Sequence, residues 1–417
     1  MPAASLVTTA GLVRVLGPRD FGVLVIALAV SALSLAINPA IAATTTKFVA
    51  ETRVGGPAAA PRTARVVTAS LLAVMALGTL LLVLAALTAQ PLARFLFGAA
   101  LFGARADLGG VLLLAVLSVC IQQLDSVFAA AIKGLERFKE QAVFELCSRF
   151  AVAGAAIAVA WLTHDIRAVL LAMCAVFALS ALARGLLLSL WVPRRRIFAH
   201  PSRSEVRQLL AFGGWMWLNG VATVAYGTVD RLIVGRFLGA TAAAQFQVYV
   251  QVAQLCHYLP ANVFAFAFPV FSRVAAGGAA QRPALERLYR RLFAVIVVSA
   301  LVLGAGFVLL RQPVMSLFAG KGLPSATDPT LLLLIAAFVV LAVNIAPYYL
   351  LLAMGQARAA SLVTSFSVLL CVGLAWVLVP RLGMEGAAIG RIGYALGSLA
   401  LLGLAHRVLR KPGLPAV

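Results

Sequence analysis

A chain of 417 residues that is 63% hydrophobic and 11% charged, with mean hydropathy +1.03, cannot be a solvated globule, because soluble domains carry roughly 25% charged residues. Its formal net charge of +21 would suggest nucleic acid in a soluble protein. Here the cations punctuate apolar runs, so the excess reads as membrane topology and no nucleic-acid partner is expected.

Apolar stretches suited to a ~30 Å hydrocarbon core recur along the chain. In order they are 1–13, too short to cross, then 21–47, 66–88, 109–132, 142–163, 168–191, 209–230, 242–270, 292–310, 330–353, 359–379 and 385–406. They predict an all-α, polytopic integral membrane protein of about 12 transmembrane helices, the first truncated. Loops after even-numbered spans carry 21 Lys and Arg, and loops after odd-numbered spans carry 10. That bias puts the even loops and the C-terminus in the cytoplasm, in a multi-pass protein of the cytoplasmic (inner) membrane. Cys120, Cys147, Cys174, Cys256 and Cys371 lie in apolar spans with no paired spacing or clustered His. They read as small core side chains, and neither a disulfide nor a metal site is expected. No basic segment precedes a cleavable apolar core at the start, so no signal peptide is expected.

Spans 1–2 and 7–8 open on the same turn. RVLG at Arg14–Gly17 matches RFLG at Arg236–Gly239 with an offset of 222, which also pairs Gln90-Pro91 with Gln312-Pro313 and Gly98 with Gly320. One gap later, Pro39 falls on Pro260 and Gly134 on Gly355. The chain therefore reads as a tandem duplication. Six helices per copy give both copies the same orientation, hence two parallel six-helix bundles with a site expected between them. The expected domains are 1–192, a basic cytoplasmic linker 193–208, and 209–417. Met1 maps onto Thr223, inside span 7, so the first helix is expected to be incomplete.

Polar side chains within spans cost several kcal/mol unless a cavity or a partner receives them. In span 7, Asn219, Thr223, Tyr226 and Asp230 recur at i, i+4, i+7 and i+11 on one face. In span 8, Gln247, Gln251, Gln254, Tyr258 and Asn262 repeat the pattern. Two readings stand: interhelical hydrogen bonding, or a hydrated surface whose amides, hydroxyls and aromatic rings suit sugars. Pro39 and Pro260 interrupt the matching long spans 2 and 8, as moving elements or as inherited curvature. Arg149, Arg184 and Arg391 are in-span cations able to grip phosphate. Glu145 at i−4 can instead neutralise Arg149, and Arg184 can snorkel to the cytoplasmic side. Arg391 opens a face with Tyr394 and Ser398. Gln122, Gln123, Asp125, Asn344 and Tyr348 would complete a lining, and His257 reads as a packed neighbour of the glutamines. No nucleotide-binding, zinc-protease or nucleophile-elbow motif is present, so neither an enzyme nor a cofactor is expected.

The stretch LGPRDFGVLVIALAVSALSLAINPAIAATTTKFVAE resembles the opening of polysaccharide-export flippases, where a Leu-Gly-Pro-x-x-Phe-Gly turn leads into the second helix. VDRLIVGRFLGATAAAQFQVYVQVAQLCHYLPANVFAFAFPVFSRV is similar to their helix 7–8 region, although Ala244 stands where the first copy has Gly22. The resemblance runs the length of the chain, to the polysaccharide biosynthesis and O-antigen flippase family of the multidrug/oligosaccharidyl-lipid/polysaccharide exporter superfamily. It implies a flippase moving an undecaprenyl-pyrophosphate-linked oligosaccharide across the cytoplasmic membrane by alternating access, for O-antigen, capsule or exopolysaccharide synthesis. Its expected partners are that lipid-linked oligosaccharide, membrane lipids, and a polysaccharide polymerase with chain-length proteins. Arginines would hold the pyrophosphate, the span 7–8 stripe the sugars, and Asp230 is the best candidate for proton or sodium coupling. The alternative within the superfamily is a cation-coupled multidrug and toxin antiporter.

Overall fold

The computed structural model describes residues 2–34, 38–53, 60–105, 107–191, 199–200, 203–275, 281–316 and 327–410. Every regular element among them is helical. In chain order the first are α1 (Pro2–Ser34), α2 (Asn38–Arg53), α3 (Ala60–Ala104), α4 (Leu108–Gly134), α5 (Phe138–Thr163) and α6 (Ile166–Trp191). The second series runs α7 (Arg203–Leu238), α8 (Ala240–Ala253), α9 (Leu255–Val263) and, after a 3-10 turn at Phe264–Phe266, α10 (Ala267–Ala275). It closes with α11 (Arg282–Leu309), α12 (Arg311–Ser316), α13 (Pro329–Ala342), α14 (Ile345–Ala353), α15 (Ala357–Leu382), α16 (Met384–Ser398) and α17 (Ala400–Arg410).

Among the described residues nine helical stretches are long and apolar enough to cross a membrane, beginning with Leu6–Ala32 and ending with Met384–Arg410. Expected spans 1 and 2 account for one of these, because α1 runs through both and only bends at Gly17, where φ is 79°. Span 7, part of which lies outside the described side chains, and span 8, whose α8, α9 and α10 are each too short to cross alone, fall outside the count. Large apolar side chains point outward, among them Leu87, Trp161, Leu162, Leu182 and Leu369, all at least 67% exposed. Water would penalise such a surface and lipid does not.

Backbone conformation repeats with the sequence. Gly17 and Gly239 both take φ near +80° at the turn that begins each copy. Further on, Glu136 at the end of α4 and Gly355 at the end of α14 both have positive φ, as do His164 after α5 and Gly383 after α15, although ψ differs in the last pair, 24° against −142°. These pairs sit 219 residues apart. The turn matching Gly355 is therefore Glu136, two residues beyond the Gly134 that sequence alignment pairs with it. The QP stretch behaves differently in the two copies: it extends α3 to a bend at Gly98 in the first and forms the separate α12 in the second.

Contacts gather the chain into two compact units, 1–244 and 245–417. The division falls after Ala244 and not in the basic linker, because α7 packs on α1, α2 and α3. In the first unit a core of Ile41, Val49, Val67, Leu71, Val127 and Leu188 joins α2, α3, α4 and α6. At Gly22 a Cβ would lie 1.8 Å from the carbonyl oxygen of Ala240, so only glycine permits that backbone approach. In the second unit α16 lies close along α15. The sequence allows this because Gly386 and Gly390 set bare backbone against Leu378 and Cys371, a small-xxx-small face.

Candidate functional site

The glycine face of α16 decides where its polar residues go. With Gly386, Gly390, Gly393 and Gly397 turned to α15, Arg391, Tyr394 and Ser398 are buried on the side shared with α13. Arg391 is 2% exposed, with its guanidinium 5.2 Å from the ring centre of Phe338 in α13. That stacking offsets part of the cost of holding a cation at depth. Tyr394 follows on the same helix, 8% exposed, and in α14 the rings of Tyr348 and Tyr349 lie 6.2 Å apart. Where α13 gives way to α14, Asn344 donates its amide to Ser398 Oγ at 2.6 Å, and its own Oδ1 is buried without a hydrogen-bond partner. Tyr349 adds a hydrogen bond to the Ala261 carbonyl at 3.2 Å. The second unit thus carries a buried cation, several tyrosines and an amide oxygen with no partner among the described residues on expected spans 8, 10 and 12.

The span 8 stripe runs from inside to outside along broken helices. Gln247 is half-buried with an unpaired Oε1, Gln251 is buried, and Gln254 sits at the junction of α8 and α9. There the Gln254 carbonyl accepts the backbone N–H groups of His257 and Tyr258 at 3.1 and 2.9 Å. Tyr258 is 45% exposed, and the exposed Asn262 spends its amide on the Tyr258 carbonyl at 2.7 Å. Pro260 lies inside α9, and the interruptions flank it at Gln254 and at the 3-10 turn. Its counterpart Pro39 stands in the first turn of α2, where a missing N–H costs nothing.

In the first unit, α7 carries the other stripe. Tyr226 is half-buried and Asp230 is 3% exposed, its carboxylate accepting the Arg231 N–H at 2.9 Å. The side chains of Asn219 and Thr223 lie outside the described residues.

The in-span cations of the first unit are committed to carboxylates. Arg184 does not snorkel: it is 2% exposed, bonds Asp125 through Nη1, and reaches Glu145 through Nη2 at 3.0 Å. Ser180 donates to the other oxygen of Asp125 at 3.1 Å and receives Ser148 Oγ at 3.1 Å. Arg149 is half-exposed and pairs with Glu145 at 2.8 Å, the i,i+4 contact that its spacing implied. Sequence reading placed these residues in spans but could not join Asp125 to a partner 59 positions away. It also missed Asp328, which caps α13 through the Thr330 N–H and accepts the Tyr249 hydroxyl at 2.9 Å, although Asp-Pro-Thr is a helix-start signal. Among the described residues no group of three or more His, Cys, Asp or Glu could hold a metal ion.

The profile of the family described as polysaccharide biosynthesis protein matches residues 3–275. No curated protein matches the chain. Solved structures do. An inward-facing multidrug resistance MATE family transporter of the MOP superfamily is 17% identical, with a TM-score of 0.80 over 98% of this chain and 94% of its own. An outward-facing one is also 17% identical, with a TM-score of 0.64 over 98% and 92%. A MOP superfamily transporter from Pyrococcus furiosus, described as having a binding pocket of reversed polarity that suggests a different function, is 16% identical, with a TM-score of 0.63 over 98% and 94%. At such identities the likeness concerns the fold, an all-α membrane architecture of two six-helix halves. The chain belongs to the polysaccharide biosynthesis protein family and has the fold of the multidrug/oligosaccharidyl-lipid/polysaccharide exporters.

Proposed function

We propose that this membrane exporter flips an oligosaccharide linked to undecaprenyl pyrophosphate across the cytoplasmic membrane by alternating access, for O-antigen, capsule or exopolysaccharide synthesis. The observation that supports this reading best is the surrounding of Arg391: a buried guanidinium on the ring of Phe338, three residues before the buried Tyr394 of the same helix. A fixed cation suits a pyrophosphate, and hydroxyls with ring faces suit sugars. Arg391 is our first choice for the pyrophosphate contact because its guanidinium is buried against Phe338, and Arg149 and Arg184, paired with Glu145 and Asp125, are the other candidates. Gln247, Gln251, Gln254, Tyr258 and Asn262, with Asn219, Thr223, Tyr226 and Asp230 of α7, are proposed to line the sugar path. The polyprenyl chain would stay in lipid, and the C-terminus would face the cytoplasm. The halves proposed from the repeat meet in linker 193–208.

Reconstituted vesicles carrying a fluorescent polyprenyl-pyrophosphate oligosaccharide test this directly. Wild type should move the probe between leaflets, and Arg391→Met should slow it by about tenfold or more, the equivalent of ~1.4 kcal/mol. Wild-type rates from Arg391→Met and Gln251→Ala would sink the assignment. The antiporter reading draws on the MATE likeness and on the buried carboxylate of Asp230. It predicts instead that Asp230→Asn abolishes export of an organic cation from an efflux-deficient host, with no movement of the lipid-linked probe.

A further inference from the structure

At the end of the second unit where α11 begins and α17 finishes, a pocket of about 280 Å³ opens between the two helices. Glu286, Tyr289, Arg290 and Phe293 of α11 form one wall, and His406 and Arg410 of α17 are on the other. The walls are tied together by Arg282, which donates to the Val408 carbonyl at 3.1 Å. Basic charge exceeds acidic in the lining, where Arg290 and Arg410 stand with the one carboxylate Glu286, which holds Arg290 at 2.5 Å, and Arg287, Arg291 and Arg407 are near in sequence.

Tyr289 makes this more than a basic helix end. Its ring is fixed between Phe271, Phe293 and His406, at centroid distances of 6.4, 5.9 and 6.4 Å, and the residue is 2% exposed. Its hydroxyl is buried and has no hydrogen-bond partner among the described residues. A buried donor left unsatisfied costs roughly 1–3 kcal/mol, and an acceptor delivered by a ligand would remove that cost. Both helix ends belong to the basic loops, the side expected to face the anionic leaflet, and basic pockets between spans there suit phosphate headgroups.

We infer that this pocket binds the phosphate of an anionic headgroup, with Tyr289 Oη as hydrogen-bond donor, Arg410 and Arg290 as counter-charges, and Phe293 against the apolar portion. The ligand is distinct from the exported glycan, and the pocket lies wholly within the second unit.

Purified full-length protein in detergent, titrated with dihexanoyl phosphatidylglycerol, dihexanoyl phosphatidylcholine or inorganic phosphate while the unfolding midpoint is followed, tests the site. Phosphatidylglycerol should raise the midpoint and phosphatidylcholine should not. Tyr289→Phe should be at least as stable as wild type without ligand, yet bind phosphatidylglycerol about tenfold more weakly, as loss of a charge-assisted hydrogen bond entails. Arg410→Gln, an exposed change that leaves folding intact, should also weaken binding. Competition by inorganic phosphate identifies a site that accepts the free anion, and absence of competition identifies the lipid as its source. Equal midpoints with the two lipids on wild type, or wild-type affinity in both variants, would overturn the assignment.

Discussion

The two copies solve one packing problem with different chemistry. In the first, Asp125 of α4 meets Ser180 of α6; in the second, Asn344, 219 residues on, meets Ser398 of α16 through the corresponding hydrogen bond. Around Asp125 the first copy adds Glu145, Arg149 and Arg184, while the second holds Thr364 and Val368 at the same offset and, in the register of 218 that pairs Ser180 of α6 with Ser398 of α16, Leu402. The second copy puts its own buried cation at Arg391 on Phe338, where the first has Met173 and Val119. An ion cluster whose charges satisfy one another holds helices together and has little left for a ligand. The second copy's cation is instead stacked on an aromatic ring, Phe338. The first cluster therefore braces α4, α5 and α6, and recognition by the second is the proposal that the flipping assay tests.

Breaking the brace should have the largest effect. Asp125→Ala leaves Arg184 buried without its main counter-charge and should destabilise the protein by about 3–5 kcal/mol, read from unfolding in detergent. Installing the second copy's neutral set, Asp125→Asn with Glu145→Thr and Arg184→Leu, should recover most of that loss. A triple variant as unstable as Asp125→Ala would show that the charges do not act as a unit. Gly22→Ala comes next, since the first copy cannot accept the alanine that the second carries as Ala244. The clash with the Ala240 carbonyl should cost about 1–3 kcal/mol or abolish folded yield in size-exclusion chromatography. Ser398→Ala removes one interhelical hydrogen bond and should cost only about 1 kcal/mol. Smallest of all, Arg149→Gln loses a half-exposed pair and should shift stability by less than ~0.5 kcal/mol.

Much of this architecture was legible in the sequence because lipid imposes a one-dimensional rule on length and polarity. Spans, repeat and charge bias all follow from it, and Gly17 and Gly239 announce their turns in the letters RVLG and RFLG. The i,i+4 pair of Glu145 with Arg149 was readable too, since its geometry is local. What periodicity cannot state is which element covers a polar face. Asp125 with Arg184, Tyr249 with Asp328, and the pocket joining Tyr289 to His406 each unite distant segments. The Pro260 expectation shows another limit: the ring is accommodated within α9, and the chain breaks beside it, at Gln254.

The left-handed turns have a practical consequence for labelling. Gly355 and Gly383 have φ of 70° and 63°, and any side chain placed there would be strained. Glu136 and His164 already carry side chains at positive φ, are exposed, and stand at opposite ends of α5. Single cysteines introduced at these two sites would project spectroscopic or impermeant tags on either side of one helix. Sidedness of tagging at Glu136→Cys against His164→Cys then reads the orientation of the whole first copy in the bilayer.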